Sequence, residues 1–204
     1  MILTAIAEGC LVLALLFAVW QLSQHKVGDS EAPQAASIWS LLVLALLTIA
    51  TTASFGAVRY YALTQGAPAD LISTKVLGYR LDDLHDLLSS ISRNFAMPIY
   101  LFATVWLWGK LPVWFAPSLL AMALLPQLGF FSMFTDAALI LMLLALLQNI
   151  AARRLIVLAI CCLLAVPLCV ALIANDDIAM ALFHLMLAAH FVSYARAIPK
   201  LAND

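Results

Sequence analysis

Charged side chains are scarce in this sequence. Lys, Arg, Asp and Glu together make up 10% of its 204 residues, whereas soluble domains carry about 25%. Hydrophobic residues reach 66%, and the mean hydropathy is +1.06. So few charges cannot cover the surface of a soluble domain, and so many apolar residues are untypical of a disordered chain or a secreted disulfide scaffold. The composition therefore predicts a membrane protein.

Basic patches and motifs of known chemistry are also missing. The net charge of −1 offers no basic face, so we expect no nucleic-acid partner. Four cysteines lie in apolar runs without a CxxC spacing, which favours plain packing. They are Cys10, Cys161, Cys162 and Cys169. GxSxG, HExxH and Walker A motifs are absent from the sequence, so it assigns no catalytic residue, leaves any cofactor unknown and favours a role other than catalysis.

Long apolar runs divide the chain into seven candidate spans, of which most approach the roughly 20 residues that a bilayer requires. They cover residues 2–22, 38–61, 90–109, 112–127, 130–149, 154–174 and 178–198. The fourth is short and contains Pro117, so a re-entrant or tilted helix stays open there. The fold class predicted is an all-α integral membrane protein, a seven-transmembrane-helix bundle, with residues 1–204 forming a single polytopic domain.

An apolar repeat with alternating steps of four and three residues precedes and enters the third span. Its members are Leu77, Leu81, Leu84, Leu88, Ile91 and Phe95. The spacing predicts an amphipathic helix that extends helix three and packs its apolar stripe against neighbouring helices or a second subunit. Its polar face carries candidate donors for a divalent cation. These are Asp82, Asp83, His85 and Asp86, although their spacing matches neither an EF-hand nor a zinc motif.

The basic residues indicate how the bundle lies in the membrane. With seven spans, six bases fall on the side of the C-terminus, namely Lys26, Lys110, Arg153, Arg154, Arg196 and Lys200. Because cytoplasmic loops are enriched in Lys and Arg, we predict a cytoplasmic C-terminus and an external N-terminus in a bacterial inner (plasma) membrane. The tryptophans lie near the same cytoplasmic ends, as in an aromatic belt. They are Trp20, Trp39, Trp106, Trp108 and Trp114.

Ionisable and polar residues gather in the external half of this topology. The candidate ligand or ion pathway comprises Glu8, Arg59, Arg93, Asn94, Asp136, Asp177 and His184. Such groups are costly inside a bilayer and face a partner or water. One interpretation is a set of buried ion pairs, such as Glu8 with Arg59, that fixes helix packing. The other is a polar cavity open to the outside that binds or passes something. We expect Glu8 to lie within hydrogen-bonding reach of Arg59 or Arg93, or to share a water-filled pocket with Asp136 or His184. The cytoplasmic half is expected to be nearly pure hydrocarbon, with His190 as a packing residue.

Three classes of function fit these features. The leading hypothesis is an externally facing intramembrane polar pocket that binds or passes an ion or a small polar solute. The second is a membrane-embedded metal-dependent hydrolase, and the third is a non-catalytic assembly or sensory membrane subunit. The expected partners are the lipid bilayer and either a second copy of the chain or another membrane protein. Flux in liposomes, bound metal and a co-purifying protein would respectively distinguish the three.

Overall fold

The computed structural model describes residues 1–25, 33–64, 75–76, 79–108, 118, 120–121, 144, 147 and 152–201. The helices in this part of the chain are α1 (Ile2–Gln24), α2 (Pro33–Thr64), α3 (Leu81–Ile91), α4 (Met97–Trp108), α5 (Arg153–Leu172) and α6 (Asp176–Leu201). A π-helical turn, Ser92–Ala96, joins α3 to α4. Two short antiparallel strands, β1 (Lys75–Val76) and β2 (Tyr79–Arg80), precede α3.

Four of these helices, α1, α2, α5 and α6, are long and apolar enough to cross a membrane. The shortest, α5, has 20 residues, which at 1.5 Å per residue give about 30 Å, the thickness of a bilayer core. Large apolar side chains stand exposed on their outer faces, among them Leu13, Leu44 and Leu172. Lipid is a favourable surrounding for such side chains. The helical architecture with candidate membrane spans is therefore confirmed.

The predicted count of seven spans is not supported by the described residues. Of the predicted spans 112–127 and 130–149, the structure describes five positions, namely Ser118, Leu120, Ala121, Leu144 and Leu147. The third predicted span corresponds to the π turn together with α4. The prediction of an all-α chain is also modified by β1 and β2, which pair Lys75 with Arg80 and Val76 with Tyr79.

The helix directions follow from pairs of contacts. Helices α1 and α6 run parallel, because Thr4 bonds to Asp177 and Glu8 pairs with His184 further along both helices. The other neighbours alternate in direction. Helix α2 runs against α3 and α4, since Arg59 pairs with Asp82 at one end and Trp39 contacts Trp108 at the other. Helix α5 runs against α6, to which residues 173–175 connect it.

These directions define two ends of the bundle. The Glu8 end contains the beginnings of α1, α3 and α6 and the ends of α2 and α5. The Trp108 end contains the opposite termini of the same helices. Helices α1 and α6 pack against each other, and both bury several small residues, including Ala7, Ala14, Ala18, Ala195 and Ala197. Small side chains allow close approach of helix backbones, which is how helices associate in membranes.

The helix entering the third predicted span is continuous, but it begins at Leu81 rather than Leu77 and is rotated differently from the prediction. Leu81 and His85 are buried, whereas Ile91 and Phe95, members of the predicted stripe, are 36% and 48% exposed. His85 was expected on the outer polar face. Polar contacts with α2 turn this face inward, since Arg59 binds Asp82 and Thr52 Oγ1 donates to the Leu88 carbonyl at 3.1 Å.

The π turn explains why a regular repeat does not follow one face of this helix. A π turn contains one extra residue, which rotates the following helix by about 100° relative to a regular α-helix. Pro98 is the second residue after the turn, and the Met97 N–H before it donates to the Ser92 carbonyl five residues earlier. Proline has no N–H and its ring crowds the carbonyl four residues before it. The wider turn accommodates this crowding.

Candidate functional site

Glu8 lies in the apolar first part of α1 and is 3% exposed. Its Oε1 atom is 3.1 Å from Nε2 of His184 on α6. The parallel packing of α1 and α6 brings the two side chains to the same level near the Glu8 end. A hydrogen bond at this distance requires one proton between the two atoms. Either the imidazole donates to a carboxylate, or a protonated Glu8 donates to the ring nitrogen.

Gly56 on α2 provides the space that the Glu8 carboxylate occupies. A Cβ atom at this position would overlap Oε1 of Glu8 and would lie 2.8 Å from its Cδ. The same Cβ position is 3.3 Å from Nε2 of His85 on α3. The bare backbone of α2 therefore brings the carboxylate and a second imidazole to one point. We call Glu8, Gly56, His85 and His184 the Glu8 cluster.

Nε2 of His85, the ring nitrogen that faces Gly56, is buried without a hydrogen-bond partner among the described residues. The outer nitrogen, Nδ1, is 3.2 Å from the hydroxyl of half-buried Ser89, and the ring edge packs against Tyr60. Burial lowers the pKa of the His85 imidazole. The positive charge of Arg59 also lowers this pKa, whereas the negative charges of Asp86 and Asp82 raise it. The site thus favours neutral His85, which can either accept or donate at Nε2.

His184 also keeps a buried nitrogen, Nδ1, that makes no hydrogen bond of suitable geometry within the described part of the chain, although the Met180 carbonyl lies near the ring. Nε2 of His85 and Nδ1 of His184 are the buried side-chain nitrogen or oxygen atoms without such a bond among the described residues. Leaving a buried polar atom unpaired costs about 1–3 kcal/mol. Such atoms occur in native proteins where strain, chemistry or an unrecorded ligand accounts for them.

An ion pair closes the Glu8 cluster toward the end of the bundle. Nε of Arg59 is 2.6 Å from Oδ1 of Asp82, with both side chains about one quarter exposed. The guanidinium also lies over the ring of Tyr60, 5.4 Å from its centroid. Arg59 is three residues after Gly56, so this pair lies one helical turn beyond the cluster. Arg59 therefore forms its ion pair with Asp82. Glu8 pairs with His184 rather than with an arginine.

The remaining predicted pathway residues lie apart from the cluster or outside the described residues. Asp177 pairs with the amino group of Met1 and accepts a hydrogen bond from Thr4 Oγ1 at 2.5 Å. Arg93 and Asn94 lie in the π turn, where exposed Arg93 donates to the Asn94 side chain at 3.3 Å. Asp136 lies outside the described residues.

The candidate donors for a divalent cation on α3 are not brought together around one point. Asp82 is held by Arg59, His85 turns into the bundle, and Asp83 and Asp86 face outward. Within the described ranges, no group of three or more His, Cys, Asp or Glu side chains is placed to hold a metal ion.

A second polar network crosses the half of the bundle that was expected to be hydrocarbon. Nδ1 of His190 donates to the Ala159 carbonyl at 2.7 Å, and its Nε2 therefore accepts from the Tyr100 hydroxyl at 2.9 Å. Thr104 Oγ1 bonds to the Tyr100 carbonyl and to the Tyr194 hydroxyl. These residues join α4, α5 and α6. Sequence reasoning missed the network, although Tyr100 with Thr104 and His190 with Tyr194 share the four-residue spacing of one helix face.

The two buried networks differ in one respect. His190 uses both ring nitrogens, whereas His85 and His184 each keep one that is unpaired among the described residues. The Glu8 cluster is therefore the candidate functional site. Comparison with protein-family models, curated proteins and solved structures finds no match for this chain.

Proposed function

We propose that this chain is a membrane protein that binds or passes an ion or a small polar solute at the Glu8 cluster. The observation that carries the proposal is the buried Glu8–His184 pair next to His85, whose Nε2 atom is unpaired among the described residues. A buried network with all its partners adds stability, whereas an incompletely paired one costs stability. Proteins keep such costs at functional sites.

The proposed topology has seven spans. Helix α4 ends and α5 begins at the Trp108 end of the bundle, so the chain between them must cross the membrane an even number of times or not at all. The apolar stretches 112–127 and 130–149 supply two crossings. With the third span formed by the π turn and α4, this gives seven helices in the membrane.

The proposed orientation puts the Glu8 cluster in the external half of a bacterial inner membrane. Arg153, Arg154 and Lys200 lie at the Trp108 end together with Trp39 and Trp108. Lys and Arg near the helix ends favour the cytoplasmic side, and the tryptophans are typical of a membrane interface. The Arg59–Asp82 pair then lies between the cluster and the external side.

The test is transport and binding by the full chain in liposomes. Wild-type protein is compared with Glu8→Gln, which keeps the size of the side chain but removes its charge. Asp83→Asn is the matched control, because Asp83 is an exposed carboxylate on α3. We expect Glu8→Gln to abolish the flux or binding of the ion or solute and Asp83→Asn to retain it. Equal activity of both variants would refute the proposed function.

A further inference from the structure

We infer that the ion held and exchanged by the Glu8 cluster is the proton. This inference rests on the proposed function. It narrows the transported or bound species from any ion or small polar solute to the proton. It is carried by three buried proton-binding side chains: Glu8 and His85 lie next to the same point of α2, and Glu8 is hydrogen-bonded to His184.

The net charge of the Glu8 cluster favours the uptake of a single proton. With an ionised Glu8 and two neutral imidazoles, the cluster carries a net charge of −1. Arg59 does not compensate this charge, because it is paired with Asp82. One additional proton brings the cluster to zero, and a buried site in low dielectric strongly favours the neutral total.

Other cations fit the side chains less well. Calcium and magnesium take about six to eight oxygen ligands, and Glu8 is the one carboxylate of the cluster. Transition metals take imidazole and carboxylate together, but the described residues contain no group of three such side chains placed around a common metal position. A proton needs only a donor and an acceptor at hydrogen-bond distance, and the 3.1 Å separation of Glu8 and His184 provides this.

His85 supplies the connection between the cluster and the surface. Its Nδ1 atom bonds to half-buried Ser89, while Nε2 lies beside the position shared with the Glu8 carboxylate. A proton added at Nδ1 of neutral His85 gives the imidazolium. Nε2 makes no hydrogen bond among the described residues, so the two side chains must first approach each other. Release of the Nε2 proton to Glu8 then forms the carboxylic acid and leaves a neutral ring that is protonated at Nδ1. Because burial lowers the pKa of His85, the ring carries the proton transiently and the Glu8–His184 pair keeps it.

The surroundings of the cluster include charged and titratable groups on every helix packed against it. These are Glu8 of α1, Arg59 and Tyr60 of α2, Asp82, His85 and Asp86 of α3, and Asp177 and His184 of α6. Asp82 is paired with Arg59, Asp177 is paired with the Met1 amino group, and Asp86 is exposed. Glu8 and the two histidines are therefore the groups available to bind the proton.

The deciding experiment measures proton entry into liposomes that contain the full chain and a trapped pH-sensitive dye, with the membrane potential set by potassium and valinomycin. We expect Glu8→Gln and His85→Gln to lower the proton flux roughly 100-fold, the smaller end of what a positioned proton-transferring group contributes. Asp83→Asn should leave it unchanged. His85→Gln also removes the contacts of the ring with Ser89 and Tyr60, so its unfolding temperature is measured in parallel and the flux of each variant is compared per folded molecule.

A second measurement detects proton binding by Glu8 directly, so that it applies even if the protein binds a proton but does not transport it. Infrared difference spectra of wild-type protein between acidic and neutral pH should show a protonated carboxyl band that is absent in Glu8→Gln. If folded His85→Gln passes protons as fast as wild type, or if this band is missing, the proton inference is wrong. If Glu8 instead controls the flux of sodium, potassium or a neutral solute, the inference fails while the proposed function stands. If no flux and no binding depends on Glu8, both fail.

Discussion

Gly56 shows how one missing side chain positions a buried carboxylate. In Gly56→Ala the new Cβ atom would overlap Oε1 of Glu8 and approach Nε2 of His85 to 3.3 Å, so the carboxylate must leave its place. The bond to His184 is then lost, and a buried group without its partner costs about 1–3 kcal/mol. We expect thermal unfolding in detergent to occur at a lower temperature and any Glu8-dependent activity to fall with it.

Gly9→Ala is the matched control, since it follows Glu8 directly in α1 and a Cβ atom there meets nothing within 4 Å. Alanine is the better helix former by about 0.5–1 kcal/mol, so this variant should be as stable as wild type or more so. An unchanged unfolding temperature in Gly56→Ala would contradict the position of the carboxylate against α2.

Tyr100 joins His190 to α4, and its hydroxyl is the partner of Nε2 in that ring. Tyr100→Phe keeps the packing against Phe191 and Tyr194 but leaves the buried nitrogen unpaired, which we expect to cost about 1–3 kcal/mol. Because the network lies apart from the Glu8 cluster, proton flux per folded molecule should not change. Tyr61→Phe, which alters a tyrosine that is 57% exposed, should leave the unfolding temperature as it is. A flux lost in Tyr100→Phe would instead assign this network to the ion pathway.

At the residue scale, the sequence identifies groups that are costly in a membrane but not their partners. Glu8 and His184 stand out because each ionisable side chain interrupts an apolar run. Their pairing depends on the parallel packing of α1 and α6, which no spacing within either helix encodes. Gly56 gives no signal, because a glycine in a helix is informative only when the side chain that fills its space is known.

The contact between α2 and α3 holds His85 inside the bundle. Thr52 Oγ1 lies 3.0 Å from the Thr48 carbonyl of its own helix and 3.1 Å from the Leu88 carbonyl of α3. Thr52→Val removes the donor with little change of shape, and we expect it to lower the free energy of unfolding by about 0.5–1.5 kcal/mol. The adjacent Thr51→Val is the control, because exposed Thr51 bonds within α2, to the Leu47 carbonyl, and to no other helix among the described residues. Equal unfolding temperatures for the two variants would show that the interhelical bond does not contribute.

Elements differ in how far the sequence predicts them. The ends of α1 and α5 agree with the predicted spans within two residues, because a long apolar run must be about as long as the bilayer is thick. The helix from Leu81 to Trp108 was predicted with its length nearly right and its rotation wrong. A repeat counted across the π turn before Pro98 assumes a regular helix, which the turn interrupts. The polar contacts between α2 and α3 also set the rotation of the helix, and they leave Ile91 and Phe95 partly exposed instead of buried.

At the scale of the whole molecule, the bundle must place its two ends on opposite sides of the membrane. Helix α6 has exposed positions near both ends, Ala174 just before it and Lys200 near its end. In a background without the four native cysteines, a membrane-impermeant maleimide applied to intact cells should label Ala174→Cys and spare Lys200→Cys. Inverted vesicles should give the reverse. Labelling of Lys200→Cys from outside would reverse the proposed orientation.

The number of spans can be decided at the turn predicted between residues 112–127 and 130–149. Helices α4 and α5 meet the same end of the bundle, so a chain that crosses twice between them must reach the far side near Gln127. With seven spans, Gln127→Cys is labelled in intact cells together with Ala174→Cys, because the short polar turn around it lies in external water. If residues 112–127 form a re-entrant segment, the same cysteine stays unlabelled from outside while Lys200→Cys remains protected. Labelling of Gln127→Cys only in inverted vesicles would reduce the bundle to five spans and leave the Glu8 end external.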